Sequence, residues 1–200
     1  MIASYLVIGA SHRTCSGSLR DRLATDEAEV PAVLERLKTL GFEQALWLST
    51  CDRVEVQGVH PRPLEAALAV ADLLTGRLGM DAADAGSLAG QLFTLTGEAA
   101  VRHVFEVASS LDSQIVGEPH VLGQLKAAHR MAVAAGMTGP ELEAALQAAY
   151  AAAKRVRSET TIAEGATSIV AAAVQVARDL HGNLKRCSAL LMGLGDMGTL

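Results

Sequence analysis

The sequence predicts an α+β protein in which a small antiparallel sheet is packed with helices. Half of the 200 residues are apolar, which is enough for a well-buried core. Aromatic residues make up only 3% of the chain, while Ala and Leu are abundant, and this favours helices that pack through small side chains. Strand patterns occur early in the chain and vanish from Thr96 onward, so the sheet should be built from its first half.

The first 95 residues carry alternating strand and helix signals in the order βαββαβ. Asp26 and Glu29 resemble a capping box before the first helix, and a polar loop is expected to run through Ser18. The predicted strands are residues 2–8, 44–49, 53–59 and 91–95, and the predicted helices are residues 30–40 and 63–78. This order is that of a ferredoxin-like unit, whose helices cover one face of the sheet.

Helical patterns dominate the rest of the chain. Residues 97–111, 119–135 and 140–157 read as three helices that pack beside the sheet, and residues 167–180 read as a fourth. An apolar run at 188–192 has the character of a buried strand. We therefore expect one domain over residues 1–157 and the beginning of a Rossmann-type α/β domain over residues 158–200.

The charge and the amino terminus restrict where and on what the protein acts. The net charge is −5 and the basic residues are dispersed, so an RNA partner must be bound locally rather than by a broad electropositive surface. The sequence shows neither a secretory signal nor a run of roughly 18 apolar residues, so we expect a cytoplasmic protein that does not enter a membrane.

The three cysteines are widely spaced and do not form a CxxC pair, which argues against a disulfide framework and a metal site. Cys51 lies in the turn STCDR between two predicted strands, where the neighbouring Arg53 would favour the thiolate. The more ordinary interpretation of a cysteine is a small apolar side chain at a strand end. We assign Cys15 and Cys187 to that class.

The segment LLMGLGDMG at residues 190–198 has GxGxxG spacing after a predicted strand, as in loops that hold a dinucleotide pyrophosphate. An ordinary glycine-rich turn is the alternative. The acidic ribose ligand of this motif would lie beyond Leu200, so we expect the 200-residue chain to bind a dinucleotide weakly. The predicted cofactor-binding residues are Gly193, Leu194, Gly195, Asp196, Met197 and Gly198.

Three further features have two interpretations each. His103 lies on an amphipathic helix, where a structural histidine is commoner than a general base. Residues 113–120 break between two helices and form either a pocket or a helix cap. Lys154, Arg155 and Arg157 either contact phosphate or form a solvated helix end.

Taken together, the segments GASHRT, LRDRL, LSTCDRVEV, AVRHVFEVASSLDSQIVGEPHVLGQLKAAHRMA, AAKRVRSETTI and LLMGLGDMG resemble glutamyl-tRNA reductase along essentially the whole chain. The resemblance implies an enzyme whose cysteine thiol attacks the ester of glutamyl-tRNA and expels the tRNA. NADPH then reduces the thioester to glutamate-1-semialdehyde, which enters tetrapyrrole synthesis.

The resemblance also implies which residues act. It places the nucleophile on Cys51 and a histidine important for activity on His103. It places the residues that contact the glutamate on Thr50, Asp52, Arg53, Ser113, Glu118, Pro119, His120 and Gln124. We expect Arg53 to pair with the substrate carboxylate, Glu118 to accept from its ammonium group, and N–H groups of the Cys51 turn to stabilise the oxyanion.

The chain departs from the family at Asp52, Ser110 and His120, where the family usually has Asn, Gly and Gln. The Asp52 carboxylate should oppose thiolate formation at Cys51. The family continues past Leu200 with the rest of its NADP-binding domain and a dimerisation domain. We therefore interpret the chain as a fragment of the enzyme, with homodimerisation through the downstream domain and the next enzyme of the pathway, an aminomutase, as a further partner. The alternatives are a non-catalytic glutamyl-tRNA-binding or regulatory paralogue and an unrelated NAD(P) protein.

Overall fold

The computed structural model describes residues 4–80, 86, 88–164, 169–188 and 190. Over them the chain is an α+β protein with one small antiparallel sheet and several helices. The strands are β1 (Tyr5–Ser11), β2 (Gln44–Ser49), β3 (Arg53–Val59) and β4 (Phe93–Thr96). The helices are α1 (Gly17–Leu23), α2 (Val30–Thr39), α3 (Pro63–Leu78), α4 (Gly97–Ala108), α5 (His120–Ala134), α6 (Pro140–Glu159) and α7 (Ile169–His181), with short 3-10 turns at Glu27–Glu29, Thr161–Ala163 and Leu184–Arg186.

The sheet has the strand order β2-β3-β1-β4, and each neighbouring pair is antiparallel. In the central pair, Gly9 of β1 lies opposite Glu55 of β3. A Cβ atom at Gly9 would stand 2.5 Å from the Cβ of Glu55, so only glycine lets the two strands approach this closely. Gly9 thereby leaves room for the buried side chain of Glu55.

Helices cover both faces of the sheet, with α1, α2 and α3 on one face and the later helices α4, α5 and α6 on the other. Leu6 and Ile8 point into a core formed with α1, α2 and α3, whereas Tyr5 and Val7 point into a second core formed with α4, α5 and α6. Successive side chains of a strand alternate between the two faces, so a strand between two helical layers is buried throughout its length. β1 and β3 are buried at every residue for this reason.

The start of the chain differs from the prediction in three ways. The first strand is Tyr5–Ser11 rather than residues 2–8, because its ladder to β3 continues through Gly9. The loop predicted through Ser18 is instead the beginning of α1, capped by the Ser16 side chain, which accepts from Leu19 N–H. The predicted capping box is wrong as well, since the side chain of Asp26 makes no capping hydrogen bond and a 3-10 turn precedes α2.

The end of the chain is only partly described. Helix α6 extends two residues past the predicted domain boundary at 157, and that boundary stays a prediction. Of the predicted strand at 188–192, only Ser188 and Leu190 fall within the described residues, and all of the predicted cofactor-binding residues at 193–198 lie outside them. Within the described part of the chain, no helix combines the length and the apolar character needed to span a bilayer.

Candidate active site

A tight turn between β2 and β3 presents the thiol of Cys51. Thr50 N–H donates to the Arg53 carbonyl at 2.8 Å, and the hydroxyl oxygen of Thr50 accepts from the N–H groups of Asp52 at 3.1 Å and Arg53 at 3.2 Å. Thr50 itself is buried, so its side chain holds the turn from inside. Cys51 is exposed at the tip, which does not fit the alternative of a small apolar side chain that closes a strand.

The surroundings of Cys51 keep its thiol protonated. Burial on its protein side raises the pKa of Cys51, and the carboxylates of Asp52 and Glu118 raise it further. Arg20 and the N–H of Cys51 itself act in the opposite direction but do not offset these causes. The thiolate fraction at neutral pH is therefore smaller than that of an ordinary cysteine.

Asp52 fastens the turn to two other segments. Its carboxylate accepts from the backbone N–H of Gln114 at 2.8 Å and from the side-chain amide of Gln114 at 2.5 Å. The carbonyl of Asp52 accepts from His12 N–H at 2.8 Å. The carboxylate expected to oppose thiolate formation is thus a buried anchor for the loop after α4.

Arg53 is fully buried and does not point at the thiol. Its guanidinium donates to the carboxylate of Asp112 at 3.0 Å and to the Asp112 backbone carbonyl. The exposed Arg13 donates to the other carboxylate oxygen of Asp112 at 2.6 Å. Burial acts to raise the pKa of Asp112, but the Arg53 guanidinium and the neighbouring cations hold that pKa below its ordinary value. The arginine beside Cys51 is instead Arg20, whose Nε donates to the Cys51 carbonyl at 3.0 Å.

His103 belongs to a buried polar row behind the turn. Its Nε2 lies 2.9 Å from a carboxylate oxygen of Glu55 and 3.5 Å from Nη1 of Arg53. The amide of Gln57 donates to the other oxygen of Glu55 at 2.7 Å. Burial acts to raise the pKa of Glu55, but the charges of His103 and Arg53 lower it overall, so Glu55 is an anion that holds both partners. A cavity of about 460 Å³ opens beside this row, lined by Arg13, His103, Glu106, Leu111 and Asp112.

The loop between α4 and α5 brings two unsatisfied polar atoms to the site. Ser113 Oγ and Glu118 Oε1 are buried and make no hydrogen bond of good geometry among the described residues, although the Ser113 side chain acts to lower the pKa of the Glu118 carboxyl. Burial raises the pKa of the Glu118 carboxyl, and the negative charge of Asp52 raises it further. An unsatisfied buried polar atom is costly and calls for an explanation, and a ligand that supplies the missing partner is one.

Gly117 and Ser110 shape this loop with left-handed backbones. Gly117 has φ +87°, and a Cβ there would collide with the carbonyl oxygen of Ile162. Ser110 has φ +55°, a left-handed backbone that fits the glycine expected at this position from the sequence resemblance. The hydroxyl of Ser110 donates to the Glu118 carbonyl at 2.7 Å, so the serine adds a contact that a glycine would lack.

The remaining predicted substrate residues lie along the start of α5. Pro119 precedes the helix and His120 is its first residue, and both are exposed. Gln124 lines a neighbouring cavity of about 300 Å³ together with Thr25 and Ser49. The structure thus gathers Cys51, Asp52, Ser113 and Glu118 into one site and places Arg53 and His103 directly behind it. The hydrogen bonds of His103 and Arg53 run to Glu55, to Asp112 and between the two side chains, and the catalytic role of His103 stays a prediction.

The sequence interpretation missed four residues of the site, namely Arg20, Glu55, Asp112 and Gln114. The segments that contain them, LRDRL, TCDRVEV and LDSQ, were available in the sequence. The sequence does not show which of these residues bond each other. Asp112 accepts from Arg53, 59 residues away in the chain, and Gln114 donates to Asp52, 62 residues away.

Substitutions at Ser110 test how this loop is held. In Ser110→Ala the left-handed strain remains and the hydrogen bond to Glu118 is lost, whereas Ser110→Gly loses the same bond but relieves the strain. We expect the alanine variant to be less stable than the glycine variant by about 1 kcal/mol in urea unfolding. An alanine variant equal to or more stable than the glycine variant would contradict the assigned backbone.

Fold and site together define an α+β protein that presents a cysteine thiol on a strand turn, backed by a buried histidine, carboxylate and arginine row. A family model described as the N-terminal domain of glutamyl-tRNAGlu reductase matches residues 8–160. The chain therefore belongs to the glutamyl-tRNA reductase family, as the sequence motifs indicated.

Named relatives agree with this assignment. The glutamyl-tRNA reductase of Rhodospirillum rubrum is 49% identical over 198 residues, which cover 98% of this chain and 45% of the relative. That of Myxococcus xanthus is 43% identical over 195 residues, covering 98% and 43% respectively. The solved structure of glutamyl-tRNA reductase from Methanopyrus kandleri matches with a TM-score of 0.69 and 31% identity, over 98% of this chain and 45% of that one. The chain spans less than half the length of these relatives.

Proposed function

We propose that this chain performs the acyl-transfer half of the glutamyl-tRNA reductase reaction, with Cys51 as the nucleophile. The whole reaction is the NADPH-dependent reduction of glutamyl-tRNA to glutamate-1-semialdehyde, the first step of a route to tetrapyrroles. NADPH, when bound, supplies the hydride that reduces the thioester, and residues 193–198 are the proposed cofactor loop. What carries the proposal is the exposed thiol of Cys51 beside the unsatisfied buried atoms of Ser113 and Glu118.

The architecture supports a ferredoxin-like interpretation of the sheet unit. The strand order β2-β3-β1-β4, with helices between β1 and β2 and between β3 and β4, is compatible with the βαββαβ arrangement. We extend the proposal to a domain of residues 1–157 followed by the beginning of a Rossmann-type domain at 158–200.

The acyl transfer conserves atoms and charge. The Cys51 thiolate attacks the ester carbonyl carbon, and a bond from sulfur to carbon forms. The bond from that carbon to the ribose oxygen breaks, and the oxygen leaves with its electron pair and takes up a proton equivalent to the one that the thiol lost. The products are a glutamyl thioester on Cys51 and free tRNA.

Two charged groups of the site fit the ends of a glutamyl group. The unsatisfied carboxylate oxygen of Glu118 is suited to the substrate ammonium, which would also supply the counter-charge that the site lacks. Arg13 and Arg53 already converge on the carboxylate of Asp112 at the edge of a cavity. Arg53 is fully buried, so a substrate carboxylate reaches its guanidinium only by displacing the Asp112 side chain. It would then bind both arginines in place of Asp112.

Of the N–H groups expected to stabilise the oxyanion, we propose that of Cys51 as the donor. Two N–H groups of the turn, those of Asp52 and Arg53, already donate to the Thr50 hydroxyl. The N–H of Cys51 interacts with its own sulfur and so favours the thiolate. Once the sulfur has attacked the ester, this N–H is suited to stabilise the negative charge on the carbonyl oxygen. We propose that the rest of the glutamate site is formed by Thr50, Asp52, Pro119, His120 and Gln124.

Incubation with radiolabelled glutamyl-tRNA tests the proposal. After an acid quench we expect label on the protein, with an equal amount of free tRNA. Because the pKa of Cys51 is raised, labelling should become faster as the pH rises from neutrality toward the alkaline range. Protein that carries no label at any pH would exclude the acyl-transfer function.

Asp52→Asn should move this pH dependence. Removing the Asp52 charge takes away the second cause of the raised Cys51 pKa, while burial remains, so alkylation by iodoacetamide should begin at lower pH. A shift of one pKa unit would increase the thiolate at neutral pH about tenfold. Asp21→Asn, on the exposed surface of α1, is the matched control and should leave the profile unchanged. An identical profile in wild type and Asp52→Asn would show that Asp52 does not act on the thiol.

A non-catalytic glutamyl-tRNA-binding or regulatory protein is the second candidate. The raised pKa of Cys51 favours it, because a protonated thiol binds substrate without reacting. It predicts tight binding of glutamyl-tRNA with unlabelled protein. Membership of the family argues against the third alternative, an unrelated NAD(P) protein. Homodimerisation, contact with an aminomutase and a cytoplasmic location stay predictions.

A further inference from the structure

Helices α5 and α6 meet along a seam that leads to the candidate active site. His129 of α5 bonds Glu143 of α6 at 2.9 Å, and the ammonium of Lys126 lies 5.4 Å from the ring centre of Tyr150. Farther along α6, Nη1 of Arg157 donates to the carbonyl of Glu118, the residue whose charge acts on Cys51, at 3.4 Å. The two helices therefore run antiparallel, with later residues of α6 beside earlier residues of α5 and of the loop before it. The C-terminal half of α6 consequently approaches the site.

Cations line this seam. Tyr150, Lys154 and Arg157 follow one another at helical spacings of four and three, which places them on one side of α6. Lys126 and Arg130 are four residues apart on α5, and both charges face Tyr150. We call these four cations the basic track: Lys126, Arg130, Lys154 and Arg157.

The charge of the track is not cancelled. α5 contains no acidic residue, and α6 contains none between Glu143, which is bonded to His129, and Glu159. Arg155 is bound twice by Glu159 at 3.0 Å, so it is neutralised and is not counted in the track. In the described part of the chain, no salt bridge joins Lys126, Arg130 or Lys154 to a carboxylate.

We propose that the basic track binds the sugar–phosphate backbone of an RNA next to its aminoacylated 3′ end. This inference rests on the proposed function, since it names the surface that delivers the ester to Cys51. The rise from Tyr150 to Arg157 is about 10 Å, which is long enough for this part of the track to meet more than one phosphate of a strand. The chain as a whole is acidic, so attraction to RNA must come from a local cluster of cations such as this one.

Neutralising two track residues tests the inference. The double variant Lys126→Gln/Lys154→Gln leaves Arg157 and its bond to Glu118 in place. Its matched control, Lys38→Gln/Arg62→Gln, makes the same charge change at exposed positions on α2 and just before α3. We measure the binding of glutamate tRNA without its attached amino acid to the 200-residue chain over a series of salt concentrations.

The track variant should bind about tenfold more weakly at moderate salt. The slope of log K against log salt should become less steep by about 1.4, because each lost single-strand phosphate contact contributes about 0.7. The single variant Lys154→Gln should show about half of this change in slope. Wild-type affinity and slope in both track variants, or competition by polyglutamate as effective as that by RNA, would overturn the inference.

A small acyl donor separates this inference from the proposed function. The α-thiobenzyl ester of glutamate should acylate Cys51 equally in wild type, track variant and control, because it has no phosphate to bind. If wild type is acylated by neither donor, the proposed function fails. If the track variant loses reaction with the small ester as well, the change has damaged the site, and the track assignment is rejected.

Discussion

Cys51→Ser should lower the transfer of glutamate from glutamyl-tRNA to the protein by about a thousandfold or more. The serine hydroxyl is far less acidic than a thiol, and the group that accepts from the Cys51 thiol in the described residues, at 3.9 Å, is the carboxylate of Asp52 rather than an imidazole that would activate a hydroxyl. The loss should therefore persist across the pH range. The measurement is acid-stable label on the protein, normalised to folded chain by circular dichroism.

The other two cysteines provide matched controls for Cys51→Ser. Cys15 is partly buried against the first core, and burial raises its pKa. Cys187 is exposed near the end of the described residues, which does not fit its assignment to the class of small apolar side chains at a strand end. Cys15→Ser and Cys187→Ser should keep wild-type labelling. Equal labelling of wild type and Cys51→Ser would show that Cys51 is not the nucleophile and would favour the alternative of a non-catalytic glutamyl-tRNA-binding protein.

Gly117→Ala should disrupt both the stability and the chemistry of the site. The alanine must hold φ near +87° and place its methyl group against the Ile162 carbonyl, so the loop has to move. We expect a loss of about 3 kcal/mol in urea unfolding, from the left-handed strain and the overpacking together. Ser113 and Glu118 move with this loop, and a displacement of 1 Å is enough to slow acyl transfer by about a hundredfold.

Gly76→Ala is the matched control for Gly117→Ala. Gly76 lies on the exposed side of α3, and no atom would stand within 4 Å of an added Cβ. In a helix interior this change should stabilise the protein by about 1 kcal/mol and leave labelling unchanged. A Gly117→Ala variant that matches Gly76→Ala in both stability and labelling would refute the role given to the loop.

Local signals in the sequence were sufficient for the elements around the thiol. The strands Gln44–Ser49 and Arg53–Val59 have the predicted bounds, because a short polar connection between two β-branched or apolar runs leaves little choice. The turn that presents Cys51 was predicted for the same reason. Helix α3 also has its predicted bounds, with Pro63 at its start and Gly79 in a left-handed conformation after its end.

Long-range pairing is what the sequence could not show. The alternation in RVEVQ suggests a strand with one face in contact with water, yet Arg53, Glu55 and Gln57 are buried; helix α6 packs on β3, and His103 of α4 bonds Glu55. Their partners His103 and Asp112 lie 48 to 59 residues away in the chain, and nothing local indicates which helix will cover them. For the same reason, the sequence predicted that the helices of residues 97–157 pack beside the sheet, but not that they form a second layer over its other face. Gly9 was interpreted as a strand end, although it is the point where β1 passes closest to Glu55.

Peptide mapping of the quenched reaction tests the central claim most directly. The chain is incubated with glutamyl-tRNA at mildly alkaline pH, quenched in acid, digested at acid pH and examined by mass spectrometry for a glutamyl group on each of its three cysteines. We expect the adduct on the peptide that contains Cys51, while Cys15 and Cys187 stay unmodified. Hydroxylamine should remove the adduct, as it does any thioester. An adduct on either of those cysteines, or deacylated tRNA with no adduct on Cys51, would contradict it.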